Sequence, residues 1–144
     1  MKKLFYILAM TLMVLASASC TKKMVPLYLK GTTWVCTEGD GISVIKFDTR
    51  RTFHADEYLD GKYYFTSKCK IAEVMDSQVY FEIVSISIPP EDWDQVLTHG
   101  IMTLLNRNNI ETVMCKDNWG KILEESRCQF VRDDNFNISN YVER

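Results

Sequence analysis

Short runs in which apolar and polar residues alternate, separated by turn dipeptides, continue from residue 31 to residue 132. Alternation with a period of two and an enrichment in β-branched and aromatic residues are typical of half-buried strands. The sequence predicts eight strands, at 32–37, 42–48, 52–58, 62–75, 78–88, 102–105, 110–116 and 121–132. One short helical insert is predicted at 90–97, where a proline precedes three acidic residues. The chain is therefore expected to be all-β.

The predicted strands follow one another through short turns, which is typical of an antiparallel meander. Closing a meander removes its exposed edges, so an up-and-down barrel of about eight strands is the leading architecture. A β-sandwich is the alternative. Residues 31–132 are expected to form this single domain, and 133–144 a polar, irregular C-terminal tail.

Aromatic residues fall on the predicted core faces. Alternation along 62–75 places Tyr63 and Phe65 on one face of their strand. If the barrel is wide, Trp34, Phe65 and Phe81 line a ligand pocket. If these rings fill the barrel, the protein acts through its surface instead.

The first 19 residues are predicted to be a signal peptide. Two lysines precede an uncharged apolar segment, 4–16, which is too short to span a bilayer as a helix. The small residues Ser17, Ala18 and Ser19 then lead to Cys20. This arrangement resembles the lipobox of bacterial lipoproteins, which implies cleavage before Cys20 and a lipid on its thiol. Residues 20–30 would then be a lipidated tether that holds the domain at a membrane, with the periplasmic face favoured over the cell surface.

The charge balance argues against nucleic acid as a partner. The chain carries 17 Lys and Arg against 19 Asp and Glu, a formal net charge of −2. Binding to phosphates needs clustered basic residues, which the sequence does not contain beyond two short doublets.

Several short segments resemble small lipocalin-like domains of Bacteroides-like bacteria. Leu29 to Trp34 resembles the L-x-G-x-W opening of that family, with one additional residue between Gly31 and Trp34. Asp60-Gly61-Lys62-Tyr63 and the closing segment 128–132 also resemble family segments. The resemblance implies that Trp34 plugs one end of a barrel whose mouth binds an apolar small ligand. An envelope protein is the other partner that we consider possible on the sequence. The alternative is a filled-core module that inhibits or assists an envelope enzyme or transporter.

Four cysteines remain after Cys20, and their spacing matches no zinc-binding pattern. In an exported protein an even number is compatible with disulfides, but buried free thiols are equally compatible with the sequence. These residues are Cys36, Cys69, Cys115 and Cys128.

The sequence predicts no catalytic residue, no cofactor and no metal site. The acidic pair Asp56-Glu57 lies in a polar stretch, where solvated carboxylates are expected, and His99 is expected in a loop beside Gly100. A hydrolase is the minor alternative, and it would need several polar side chains to converge within hydrogen-bond reach. The candidates are His54, Asp56, Glu57, Asp94 and His99.

Overall fold

The computed structural model describes residues 29–88 and 97–142. Eight strands account for most of this part of the chain. They are β1 (Thr33–Glu38), β2 (Gly41–Phe47), β3 (Thr52–Leu59), β4 (Lys62–Met75), β5 (Gln78–Ile86), β6 (His99–Asn106), β7 (Asn109–Lys116) and β8 (Lys121–Arg132). The predicted helix at 90–97 lies, except for Leu97, outside the described residues.

Each strand pairs antiparallel with the next in sequence, and β1 pairs with β8 to close the barrel. The predicted all-β, eight-stranded antiparallel barrel is thus confirmed, and the alternative sandwich is not the observed architecture. The hairpin between β3 and β4 shows why local sequence specifies this topology. Asp60 and Gly61 both have positive φ, 51° and 73°, as a two-residue type I′ turn requires.

Alternation along the strands separates an inner face from an outer face. On β2, Ile45 and Phe47 belong to the interior cluster, whereas Ile42 and Val44 belong to a separate cluster on the outer wall. Trp34 is fully buried in the interior cluster, and its indole Nε1 donates a hydrogen bond of 2.8 Å to the Thr32 hydroxyl.

Irregularities in the ladder change which side chains face inward. A bulge where β3 meets β4 pairs Glu57 with Phe65 and Tyr58 with Tyr63. The intervening residue, Tyr64, has no partner, so Tyr63 faces outward and is 56% exposed. The prediction that Tyr63 shares a buried face with Phe65 is therefore wrong, because alternation is interrupted at the bulge.

The start of β6 also differs from expectation, since His99 is its first residue rather than part of a loop. The next residue, Gly100, pairs with Phe81 of β5, and a Cβ at Gly100 would lie 2.3 Å from the Phe81 ring. The absence of a side chain at Gly100 therefore makes room for that ring.

The described part of the C-terminal segment, 133–142, has little regular structure, and its apolar side chains pack on the outer wall. A short 3-10 helix at Ile138–Asn140 follows the last strand. Phe136, Ile138 and Tyr141 pack against the buried outer-face residues Val35 and Val44. Within 29–88 and 97–142, no helix has the length and hydropathy needed to cross a membrane.

Candidate functional site: a cavity at one end of the barrel

The barrel interior is packed at one end by aromatic and large aliphatic side chains. Phe53 lies at the centre of this group, with ring centroids 5.1 Å from Phe47 and 5.2 Å from Phe81. We call these side chains the packed layer; its main members are Trp34, Phe47, Phe53, Val79, Phe81, Met102, Ile110 and Phe130. All of these side chains are buried, so this end of the interior is a packed core.

A cavity of about 300 Å³ lies at the opposite end, where β5 finishes and β6 begins. We call it the end cavity. It is lined by side chains from four strands and from the residues that flank the β5–β6 connection: Glu57, Phe65, Ser67, Ile83, Ile86, Ile88, Leu97 and Met114. Its volume lies at the lower limit for small-molecule sites in proteins.

A second bulge shapes one wall of this cavity. Cys69 pairs with Ile83 and Lys68 with Ser85, so Val84 between them has no partner on β4. After this bulge Ile86 pairs with Ser67, which is buried inside the barrel. Because of the bulge, both Ile83 and Ile86 contribute to the cavity wall.

Glu57 is the charged residue in this lining. Its neighbours on β3 alternate, so Phe53 and Ala55 contact the interior cluster and Glu57 follows on the same face. The Ser43 hydroxyl of β2 donates a hydrogen bond of 2.6 Å to Oε1 of Glu57. The prediction that Glu57 is a solvated surface carboxylate is wrong, because the sheet curls around it.

Burial changes the acidity of this group. Removal from water raises the pKa of Glu57 from its ordinary value of 4.5 to about 7, against the opposing effect of the Ser43 hydrogen bond. The negative charge of Asp56 raises the pKa a little further. Glu57 is therefore poised between its neutral and charged forms near neutral pH.

The second carboxylate oxygen of Glu57 is available to a ligand. Among the described residues, Glu57 makes its single hydrogen bond through Oε1 and takes part in no ion pair. No fully buried side-chain oxygen or nitrogen in this part of the chain lacks a partner. Oε2 must consequently be reachable by solvent or by a molecule in the end cavity.

The three aromatic residues predicted to line a pocket do not lie together. Phe65 lines the end cavity, whereas Trp34 and Phe81 are buried in the packed layer. The two possibilities raised by the sequence, a filled barrel and a hollow one, thus each describe one end of the molecule. Ile83 and Met114 were not predicted to line a site, and Glu57 was a candidate only for the hydrolase alternative.

The four cysteines among the described residues fall into two groups. Cys36 of β1 and Cys128 of β8 form a disulfide across the seam at which the barrel closes. Cys69 and Cys115 are buried free thiols. Burial, with a contribution from Glu57, raises the pKa of the Cys69 thiol to about 12, which keeps it protonated and unreactive as a nucleophile.

One group of potential metal ligands occurs among the described residues, and it consists of the Cys36 and Cys128 sulfurs with the Glu38 carboxylate. Both sulfurs are committed to the disulfide. Neither can supply the thiolate that a metal ion requires.

The two histidines lie on different walls of the barrel. His54 faces outward on β3, where its Nδ1 lies 2.8 Å from Asp48 and its Nε2 lies 3.8 Å from Asp56. Among the described residues, no hydroxyl or thiol is hydrogen-bonded to His54. His99 contacts Trp119 on the far wall. His99 also has a hydrogen bond of 3.0 Å between its Nδ1 and the Thr98 hydroxyl, and its Nε2 lies 3.7 Å from Glu82. Asp94 lies outside the described residues and Glu57 points into the barrel, so among the described hydrolase candidates only His54 and Asp56 lie near each other.

A larger depression of about 700 Å³ covers the outer face of β3 and β4, around His54, Asp56 and Lys68. Side chains diverge on the convex outer wall of a barrel, whereas they converge inside it. Several polar groups in this depression are also already engaged, since Lys46 pairs with Asp56 at 3.5 Å and Thr66 donates to Asp56 at 2.7 Å. The end cavity is therefore the better candidate site, although it is smaller.

Comparison with known proteins adds no relative: no family model, curated protein or solved structure matches the chain.

Proposed function

We propose that this chain is a cell-envelope lipoprotein whose lipocalin-like barrel binds a small apolar ligand in the end cavity. The observation that carries the proposal is the cavity itself, which is lined mainly by Phe65, Ile83, Ile86 and Met114. A concave apolar site with a few convergent polar groups is the usual form of a small-molecule site.

The size of the cavity limits the class of ligand. About 300 Å³ accommodates a molecule with a short alkyl chain or one ring. Binding removes the apolar surface of such a molecule from water, and each Å² buried contributes roughly 25 cal/mol of favourable free energy. This contribution is the main source of affinity.

Calorimetric titration with heptan-1-ol tests ligand binding. The native protein, held in lipid nanodiscs, is compared with Ser67→Leu, which fills the end cavity, and with Ser85→Leu. Ser85 pairs with the exposed Lys68 on the outer face and provides a matched control. We expect Ser67→Leu to weaken binding at least tenfold and Ser85→Leu to leave it unchanged. Equal binding by all three proteins would contradict the proposal.

A second variant covers the case in which Ser67→Leu does not fold. Met114→Ala enlarges the end cavity without adding bulk. We expect it to bind nonan-1-ol more tightly than the native protein does. No gain for the longer alcohol would count against the end cavity as the binding site.

The anchoring part of the proposal rests on residues 1–20, which lie outside the described residues. The combination of a basic start, a short apolar segment and Ser-Ala-Ser before Cys20 supports export and lipidation. Mass spectrometry of the native protein is expected to show a chain that begins at Cys20 and carries a diacylglyceryl group on the Cys20 thiol. An unmodified Cys20, or an intact signal segment, would contradict it.

We propose a binding role rather than a catalytic one. A partner protein is the alternative to a small ligand, and the packed layer around Phe53 and Phe81 is what favours it, since a filled interior leaves only the surface for function. The titration above separates the two, because a surface-acting module would not distinguish Ser67→Leu from Ser85→Leu.

A further inference from the structure

Glu57 gives the end cavity a chemical preference that its apolar walls alone would not have. The carboxyl group enters the cavity lining from β3, and its nearest polar contact is the Ser43 hydroxyl on Oε1. Oε2 has no hydrogen-bond partner among the described residues and is not fully buried. An acceptor that faces a cavity without a partner is a position for a donor on the ligand.

The charge around Glu57 favours a cation over a neutral donor. Lys46, the lysine nearest in the pairing register on β2, faces the outer wall and pairs with Asp56 instead. No cationic side chain among residues 29–88 and 97–142 forms an ion pair with Glu57. A mostly buried carboxylate without a counter-ion is costly, and a bound ammonium group would supply that counter-ion.

We propose that the end cavity binds a small apolar primary amine, with its ammonium group on Oε2 of Glu57 and its alkyl or aryl part against Phe65, Ile83 and Met114. The inference rests on the proposed function, and it specifies the ligand class for the same site. The N–H groups of the ammonium would donate hydrogen bonds to Glu57 and to the hydroxyl oxygen of Ser67, which is buried in the same lining.

Binding is then linked to pH through Glu57. Because its pKa is about 7, most Glu57 side chains are neutral at pH 6 and most are ionised at pH 8. An ammonium ligand binds the ionised form, so affinity is expected to rise about tenfold from pH 6 to pH 8. A neutral alcohol is expected to show a much smaller change.

Other ionisable groups also lie near Glu57. From β4 the Cys69 thiol faces the interior, and its pKa of about 12 keeps it neutral throughout this range. On the outer wall lie Asp56, Lys46 and His54, and at the rim beside the disulfide lies Glu38. His54→Gln is therefore a necessary control for the pH profile.

The test compares three probes of nearly equal size: heptylamine, heptan-1-ol and 1-methoxyhexane, which lacks a donor. Dissociation constants are measured at pH 6 and pH 8 for the native protein, Glu57→Gln, His54→Gln and Glu82→Gln. Glu82 follows Phe81 and pairs with His99 on the outer wall, so it is the matched carboxylate control.

For the native protein at pH 8, we expect heptylamine to bind at least tenfold more tightly than heptan-1-ol, and 1-methoxyhexane to bind most weakly. Glu57→Gln is expected to lose both the preference for the amine and the pH dependence of amine binding, while its affinity for heptan-1-ol stays unchanged. The two control variants are expected to behave like the native protein.

Different failures have different meanings. If all three probes bind equally well and Glu57→Gln changes nothing, the amine inference is wrong although the cavity still binds apolar ligands. If none of the probes binds, or if Ser67→Leu does not weaken any of them, the proposed function itself is wrong. Loss of the pH dependence in His54→Gln would also overturn the role given to Glu57.

Discussion

The Ser43 hydroxyl on β2 donates a hydrogen bond of 2.6 Å to the Glu57 carboxylate on β3, inside the barrel. The bond favours the ionised form of Glu57, whereas burial favours the neutral form, and burial has the larger effect. The pair therefore holds a carboxyl group that changes charge near pH 7. This property links the stability of the fold to the chemistry of the end cavity.

Glu57→Gln is expected to make the fold more stable at high pH. The native-state pKa of about 7 exceeds the ordinary value of 4.5, so between these two pH values the unfolded chain ionises while the folded protein stays neutral. The free energy of unfolding of the native protein thus falls as pH rises from 4.5 to 7, by up to about 3 kcal/mol. The glutamine variant lacks this decline, and urea unfolding at several pH values measures the difference.

The control for this experiment is Glu82→Gln on the outer face of β5. It is expected to follow the native pH profile. A Glu57→Gln variant whose stability falls with pH as steeply as that of the native protein would show that Glu57 is not the group responsible.

Ser43→Ala removes the hydrogen bond to Oε1 of Glu57. Since that bond stabilises the ionised form, we expect the variant to be destabilised more at pH 8 than at pH 5, where Glu57 is neutral in both proteins. Because pH 8 is about one unit above the native pKa, the loss at pH 8 is expected to exceed that at pH 5 by about 1 kcal/mol. An equal loss at both pH values would indicate that only packing had changed.

The disulfide between Cys36 and Cys128 is expected to stabilise the closed barrel substantially. It joins residues 92 apart in sequence, across a β1–β8 ladder that has two paired positions. Restricting the unfolded chain over such a separation contributes roughly 2–5 kcal/mol. The double variant Cys36→Ala/Cys128→Ala is expected to melt about 10 °C or more below the native protein.

Reductant provides the control for the disulfide. Dithiothreitol is expected to lower the melting temperature of the native protein towards that of the double variant and to leave the double variant unchanged. If dithiothreitol lowered the melting temperature of both proteins equally, its effect would not come from the Cys36–Cys128 disulfide.

Gly100→Ala is expected to destabilise the barrel because the new Cβ would lie 2.3 Å from the Phe81 ring. Overpacking of this kind costs roughly 1–3 kcal/mol. In a Phe81→Ala background the obstacle is absent, so the same substitution is expected to cost much less. Chemical denaturation of the four proteins gives the coupling energy, and additive effects would contradict the contact.

Much of the fold could be predicted from local sequence. The Asp60-Gly61 turn and the alternation around it predicted β4 at the observed bounds, Lys62–Met75, and β8 was likewise predicted as Lys121–Arg132. Turn chemistry and alternation act over a few residues, so they are visible without tertiary contacts. His99 was missed as a strand residue because its pairing depends on the contact between Gly100 and Phe81, which is remote in sequence.

The site was harder to predict because it depends on how the sheet closes. Alternation from Phe53 through Ala55 does place Glu57 on the apolar face of β3, so the signal existed. The adjacent acidic residue, Asp56, made the stretch look solvated. The position of an aromatic ring along the barrel axis decides whether it fills the barrel or lines a cavity. Phe65 lies at the end cavity, whereas Trp34 lies in the packed layer.

The most direct test of ligand binding in the end cavity compares two methionine methyl groups by NMR. Met114 lines the end cavity, whereas Met102 is fully buried in the packed layer. During titration with heptylamine at pH 8, the Met114 methyl resonance is expected to shift in a saturable way while that of Met102 stays nearly constant. A resonance of Met114 that does not move, or equal shifts at Met102 and Met114, would contradict binding at this end of the barrel.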